Sequence, residues 1–167
     1  MAYRVAIITL SDKGARGERE DRSGPVIEEM VTEAGYEVVE HHLVSDDRQA
    51  LTDALMDICD NKRADLILTT GGTGFSRRDN VPEAALTAIE RQVPGISEAI
   101  RINGLQYTPR SMLSRGVSGI RKLTLLINLP GSPRAVRENP GHVLPALDHG
   151  IAMLVGDAVE CARPEFG

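Results

Sequence analysis

The sequence predicts an α/β fold: three layers, with a mostly parallel, doubly wound sheet between helices, in a single domain spanning 1–167. Three observations lead there. Four short runs rich in Val, Ile and Leu are nearly continuous in apolar character, which suits strands buried on both faces of a parallel sheet. They alternate with longer segments whose apolar residues recur at helical spacing. The 167 residues are 41% hydrophobic, enough for one buried core, and no repeat, low-complexity tract or long Pro/Gly/Ser linker divides them.

The first strand covers 5–10. It is short, lacks a basic leader and runs straight into Ser11-Asp12-Lys13-Gly14, so it reads as a strand and not as a signal peptide. A helix over 25–34 places Val26, Ile27, Met30, Val31 and Ala34 on one face, with Pro25 suited to its first turn and Gly35 to its stop. The second strand covers 36–43. A helix over 47–61 follows with Leu51, Ala54, Leu55, Ile58 and Cys59 in a stripe, and Asp46 or Asp47 can cap its free amides. The third strand covers 66–70. The helix over 82–91 opens with Pro82 and Glu83, both favourable in a first turn. Segments 95–105 and 136–155 are less regular, although Val143, Leu147, Ile151 and Leu154 make a helix stripe; the fourth strand covers 123–129. Strands joined through helices in this way require crossovers, which are right-handed in nearly all proteins.

Charge and cysteine usage narrow the function. Lys and Arg total 19 against 24 acidic residues, a net charge of -5, which gives no electrostatic reason to expect nucleic acid or an anionic membrane as partner. No run approaches the roughly 20 apolar residues of a membrane span. Cys59 and Cys161 are far apart and form no Cys-x-x-Cys, which argues against zinc or a disulfide framework and suits a reducing, cytoplasmic setting. His41, His42, His142 and His149 show no metal-ligand spacing, and no Ser/His/Asp arrangement is readable, so none receives a role. Small ligands are the expected partners.

Three of the strands end in polar or glycine-rich turns: Ser11-Asp12, Gly71-Gly72-Thr73-Gly74 and Pro130-Gly131-Ser132. In open α/β sheets ligands sit outside the carboxyl ends of the strands, so these loops should converge. The glycine loop reads either as a tight strand-to-helix turn or as a phosphate cradle, because glycine accepts positive φ and lets backbone amides approach an anion. It is not a Walker loop, lacking Gly-Lys-Ser/Thr, nor a dinucleotide fingerprint, because Arg77 stands where the third glycine belongs.

Arg77, Arg78 and Asp79 follow directly. Arginines neutralise phosphate oxygens through forked hydrogen bonds, and a carboxylate beside an anion site is easier to explain if it holds Mg²⁺. The alternative makes Asp79 a helix cap. Asp46 and Asp47 admit both readings, one carboxylate capping while the other faces a metal. Ser11-Asp12 and the Pro130–Ser132 turn are either turns or ligand contacts. Ser114-Arg115 and Arg121-Lys122 are either solvated surface or a grip on a second phosphate.

Thr69-Thr70-Gly71-Gly72-Thr73-Gly74, then Arg78-Asp79, then Pro82-Glu83, resembles the molybdopterin adenylyltransferase family of molybdenum-cofactor synthesis. Ser11-Asp12, Asp46, Ser114-Arg115 and Asn128-Leu129-Pro130-Gly131-Ser132-Pro133 agree in order, so the resemblance covers roughly 5–155. It implies a molybdopterin-binding-like fold assembled as a homotrimer, which transfers AMP from Mg-ATP to the terminal phosphate of molybdopterin and releases pyrophosphate. It implies contact with the metal-insertion enzyme that takes the product. It also assigns Asp46 and Asp79 as the catalytic carboxylates and metal holders. Ser11, Asp12, Thr70, Gly71, Gly72, Thr73, Gly74, Arg78, Ser114, Arg115, Pro130, Gly131 and Ser132 then line the pterin and nucleotide pocket.

Such chemistry needs little covalent help. A phosphate monoester is already anionic at neutral pH, so the barrier is charge repulsion, which Mg²⁺ and fixed donors relieve. Two other readings share the loop: a non-catalytic pterin-binding or scaffold module, and a hydrolase that directs water at a nucleotide pyrophosphate.

Overall fold

The computed structural model describes residues 2–18, 20–138, 141 and 143–157. Six strands among them form one sheet in the order β2-β1-β3-β6-β5-β4. Its middle is β1 (Arg4–Leu10), β3 (Leu66–Thr70) and β6 (Thr124–Leu129), mutually parallel, with every residue of β3 and β6 buried. These are the runs whose apolar character is continuous, and burial on both faces is the reason.

β2 (Glu37–Val44) pairs parallel to β1 but is an edge strand, not one buried on both faces. Its sequence carries Glu37, Glu40, His41 and His42, and these polar side chains occupy the open flank, where Glu40 pairs with Arg63 at 3.0 Å. The other flank is antiparallel: β5 (Ser118–Arg121) runs against β6, and β4 (Arg91–Gln92) against β5. Neither was expected from the sequence. β5 is only four residues with a central glycine, and it joins β6 through a tight turn at Lys122, whose φ is +53°. Leu123 belongs to that turn, so the fourth strand starts one residue later than predicted.

Helices cover both faces. On one face α2 (Ser23–Glu33), α5 (Pro94–Gly104), α6 (Pro133–Glu138) and α7 (Leu144–Val155) pack Val26, Ile27, Val31, Ile100, Val136, Leu147 and Ile151 against Val5, Ile7, Leu66, Leu68 and Ile127. On the other α3 (Arg48–Asp60) and α4 (Val81–Ala88) pack Leu51, Leu55, Ile58, Ala84 and Ala88 against Ala6, Ile8, Ile67 and Leu126. The two faces draw on alternate residues of the same strands, as the period of two requires.

Local chemistry sets the helix ends. Gly35 adopts φ +92° after α2, and the Tyr36 N–H donates back to the Val31 carbonyl at 2.9 Å, a left-handed C-terminal stop. The expected helix over 82–91 ends at Ala88, because Ile89 is extended and the Glu90 N–H bonds the Ile120 carbonyl at 2.8 Å, drawing the chain into β4. Segment 95–105 is a regular helix, and 136–155 divides into α6 and α7 with the expected Val143, Leu147, Ile151 stripe buried. A short α1 (Asp12–Ala15) and a 3₁₀ helix (Pro109–Leu113) complete the described elements. No helix among the described residues is long and apolar enough to cross a membrane. His142, Cys161 and the stretch 161–167 lie outside the described residues.

β1 lies between β2 and β3, so the winding reverses there, with α2 on one face and α3 on the other. That is the topological switch point at which open α/β sheets place their ligands.

Candidate active site

The loop after β3 is held in a conformation that only glycine takes without strain. Gly71 has φ +97° and Gly72 φ +64°. A Cβ on Gly71 would lie 2.7 Å from the Leu10 carbonyl oxygen, and one on Gly72 would lie 2.5 Å from Val81 Cγ2. The glycines therefore serve packing against the end of β1 and the start of α4, in addition to any approach of a ligand.

Asp12 ties three strand ends together. One of its carboxylate oxygens accepts the Asp46 N–H at 3.0 Å, and the other pairs with the Arg78 guanidinium. The loops after β1, β2 and β3 thus meet, as the sheet-edge argument predicts. Ser11 caps α1, its Oγ accepting the Gly14 N–H at 3.0 Å. Of the adjacent aspartates, Asp47 is the cap of α3, accepting the Ala50 N–H at 2.7 Å, which leaves the Asp46 carboxylate beside Asp12 and Arg78. Burial pushes the Asp46 carboxyl above its ordinary value, the charges of Asp12 and Asp79 add to this, and the Asp12 amide and Arg78 oppose it. The charges of Asp12 and Asp79 are therefore felt at Asp46.

Asp79 is not the cap of α4. That position belongs to Asn80, whose side chain makes no capping bond. Asp79 Oδ2 instead accepts the Ser76 N–H at 2.8 Å and closes the loop on itself, while Oδ1 has no hydrogen-bond partner among the described residues.

Arg115 crosses from the 3₁₀ helix side into the glycine loop. Its Nε donates to the Gly74 carbonyl at 2.8 Å, its Nη2 donates to the Asp79 carbonyl at 2.6 Å, and its Nη1 pairs with Glu83. Beside it, Ser114 Oγ accepts the Gly116 N–H at 3.3 Å. The Pro130–Ser132 turn sits against the same loop: Thr70 Oγ1 donates to the Pro130 carbonyl at 2.6 Å, and a Cβ on Gly131 would lie 3.1 Å from Gly71 Cα. Ser132 Oγ accepts the Ala135 N–H at 3.1 Å as α6 opens. Thr73 is buried beneath the loop.

Arg121 and Lys122, read as an alternative grip on a second phosphate, are elsewhere. Arg121 pairs with Thr124 at the start of β6, the end of the sheet opposite the glycine loop, and its Nη2 lies 2.7 Å from Asp60. The hairpin that carries the pair was not visible in the sequence.

Two cavities flank the loops. One of about 440 Å³ is bordered by Thr73, Gly74, Phe75, Arg110, Ser114 and Ser132 and floored by apolar side chains such as Ile100 and Leu113. The other, of about 210 Å³, is bordered by Thr9, Ser11, Asp21, Ser23, Thr70 and Gly131. Sequence reasoning missed Asp21, Phe75 and Arg110. Asp21 had a signal: it stands two residues before Ser23, and from just ahead of the Arg22 N-cap position its Oδ1 accepts the Ser23 and Gly24 N–H groups of α2 at 3.1 and 3.0 Å. A third hollow of about 290 Å³, lined by apolar residues of α5 and α7, lies over Ile120 and Leu125.

The family described as a probable molybdopterin binding domain matches residues 6–149. The chain belongs to this molybdopterin-binding family. The molybdopterin adenylyltransferase of Helicobacter pylori strain J99 is 36% identical over 158 residues, covering 93% of this chain and 90% of that protein. The molybdopterin adenylyltransferase of Escherichia coli K12 is 37% identical over 138 residues, covering 81% and 70%. A crystal structure of the molybdopterin biosynthesis enzyme MoaB from Thermus thermophilus superposes with a TM-score of 0.87 at 45% identity, covering 92% of this chain and 97% of that one. The family match spans β1 to α7 and so contains every loop described above.

Proposed function

We propose that this chain is a molybdopterin adenylyltransferase. The observation that carries the reading is Asp12 bridging Asp46 and Arg78, which gathers carboxylates and a cation onto the edge occupied by the positive-φ glycine loop. A terminal phosphate oxygen of molybdopterin attacks the α-phosphorus of ATP. The new P–O bond forms as the bond from the α-phosphorus to the α,β-bridging oxygen breaks, and pyrophosphate leaves.

Asp46 and Asp79 would hold Mg²⁺. The fit rests on chemistry in the chain: Asp46 is crowded by the charges of Asp12 and Asp79, Asp79 Oδ1 lacks a protein partner among the described residues, and both offer the hard oxygen donors Mg²⁺ prefers. Among the described residues no three His, Cys, Asp or Glu side chains form a complete cage, so substrate phosphate oxygens would fill the remaining positions. Mg²⁺ there would neutralise the charge that builds on the phosphates. Arg78 supplies a fixed cation, and the glycine-loop amides and the hydroxyls of Ser11, Ser114 and Ser132 orient the phosphates. The apolar cavity behind Phe75 takes a fused ring, leaving the charged groups at the loops. We further propose a cytoplasmic homotrimer that passes its product to the metal-insertion enzyme.

The test is product stoichiometry. With molybdopterin, ATP and Mg²⁺, the reading expects adenylylated pterin and pyrophosphate in equal amounts. Pterin binding without pyrophosphate release means a binding module, and AMP without a pterin adduct means a hydrolase; either result ends the proposal.

A further inference from the structure

Arg115 makes four bonds into one stretch of chain. Its backbone N–H donates to the Thr73 carbonyl at 2.9 Å, its Nε to Gly74 at 2.8 Å, its Nη2 to Asp79 at 2.6 Å, and its Nη1 pairs with Glu83. Three of the four acceptors are backbone carbonyls of the segment 73–79. Within that segment the bonds are local, Asp79 N–H to the Ser76 carbonyl at 3.0 Å, Ser76 N–H to Asp79 Oδ2 at 2.8 Å and Arg78 N–H to Ser76 Oγ at 3.3 Å, and an ion pair of Arg78 with Asp12 ties it to the rest of the chain. With residues 75–78 exposed, little packing holds the loop. Beside the Arg78–Asp12 pair, the Arg115 guanidinium supplies the bonds that hold its two ends, at Gly74 and Asp79.

The guanidinium depends on Glu83. Arginine's planar fork is fixed in direction when one of its nitrogens is pinned by a carboxylate. Glu83 sits in the first turn of α4, where the helix dipole favours a negative charge, and α4 is packed into the core through Ala84, Ala85 and Ala88. Glu83 Oε2 is buried with no hydrogen-bond partner, and although burial raises the carboxyl, the Arg115 guanidinium holds it below its ordinary value overall. A residue kept only for helix start could turn that oxygen to water. Here it stays buried, with Oε1 on Arg115.

We infer that Glu83 is a positioning residue for Asp79, acting through Arg115: the rigid helix holds the carboxylate, the carboxylate holds the guanidinium, and the guanidinium fixes the carbonyls of Gly74 and Asp79. The Asp79 carboxylate is thereby set at a constant place relative to Asp12 and Asp46. This deepens the function proposed above and rests on it for the catalytic consequence, while the loop-holding part stands on the geometry alone.

The experiment compares Glu83→Ala, Glu83→Gln and the wild type. The first readout needs no substrate: amide hydrogen exchange of Ser76 and Asp79 beside that of core strands β1 and β6. Glu83→Ala should exchange at least tenfold faster at the loop with the core unchanged, and Glu83→Gln, which keeps an oxygen acceptor for Arg115, should stay within about threefold of the wild type. The second readout is kinetic. Partners that orient metal ligands from behind matter by about 10–100-fold in affinity or activity. Glu83→Ala should therefore lower kcat and raise the half-saturating Mg²⁺ concentration within that range, with KM for molybdopterin unchanged. Unchanged loop exchange in a folded Glu83→Ala variant overturns the brace. Faster exchange with unaltered kcat and Mg²⁺ dependence overturns the link to Asp79, and a rise in KM alone makes Arg115 a ligand contact, which also overturns it. If the wild type transfers no AMP, the function fails by itself and the exchange result still decides the brace.

Discussion

Asp79→Asn separates the role of the charge from the role of the shape. Asparagine is nearly isosteric, and its amide oxygen can keep the Ser76 N–H bond now 2.8 Å long. A hydrogen bond of this kind contributes about 0.5–1.5 kcal/mol, and since the acceptor is retained the loss of stability should be under about 1 kcal/mol. For a chain of this size that is a change in Tm of less than about 4 °C. The chemistry is affected far more. A group that stabilises charge developing on a transferring phosphate is typically worth about 10²–10³ in kcat, or about 3–4 kcal/mol. Pterin affinity should hold or rise slightly, because a negative charge beside an anion site has been removed. Steady-state kinetics with isothermal titration of molybdopterin measure both quantities. A folded Asp79→Asn enzyme with full kcat would refute the role given to this carboxylate, and one with lost pterin binding would refute the separation of binding from chemistry.

Gly71→Ala should destabilise the fold by about 1–3 kcal/mol, since alanine resists φ +97° and its Cβ would meet the Leu10 carbonyl at 2.7 Å. Gly150→Ala, exposed within α7 with open space around the new methyl, should instead stabilise by about 0.5–1 kcal/mol; thermal melts that give both changes the same sign contradict the packing account. Acid stability tests Asp65, whose carboxyl is raised by burial but held below its ordinary value overall by side-chain and backbone bonds from Arg4 at 2.9 and 2.8 Å. A depressed folded value adds stability that is fully present above about pH 3.9 and is lost as pH falls through the folded value. Asp65→Asn should therefore lower Tm at neutral pH and narrow its gap to wild type below about pH 4; a constant gap across that range counts against the ion pair.

Much of this molecule was legible because its central strands are unambiguous. The runs at 5–10 and 66–70 are nearly continuous in apolar character, broken only by threonines, and are short and β-branched, which suits a strand covered on both faces. The helix over 47–61 was readable almost to the residue, since Asp47 caps it, Asn61 ends it and the Leu51, Leu55, Ile58 stripe is buried. What failed was short or mixed. β4 and β5 total six residues between them, and a strand that small is specified by its partners and not by its own periodicity. The site divides in the same way. Gly71-Gly72 and Asp12 pointed to a sheet-edge cluster because they follow the carboxyl ends of parallel strands, where open α/β sheets place their ligands. The interaction that locks the loop, Arg115 with Glu83, was hidden: the two residues are far apart in sequence, and each reads alone as an ordinary surface charge or a first-turn glutamate.

The most direct test of the account is to supply ATP labelled at the α-phosphate together with molybdopterin and to follow the label with and without chelation of Mg²⁺. The account predicts that label moves to the pterin, that pyrophosphate appears in step, and that both stop when Mg²⁺ is removed. Label recovered as free AMP, or retained in ATP while the pterin stays bound, would contradict it.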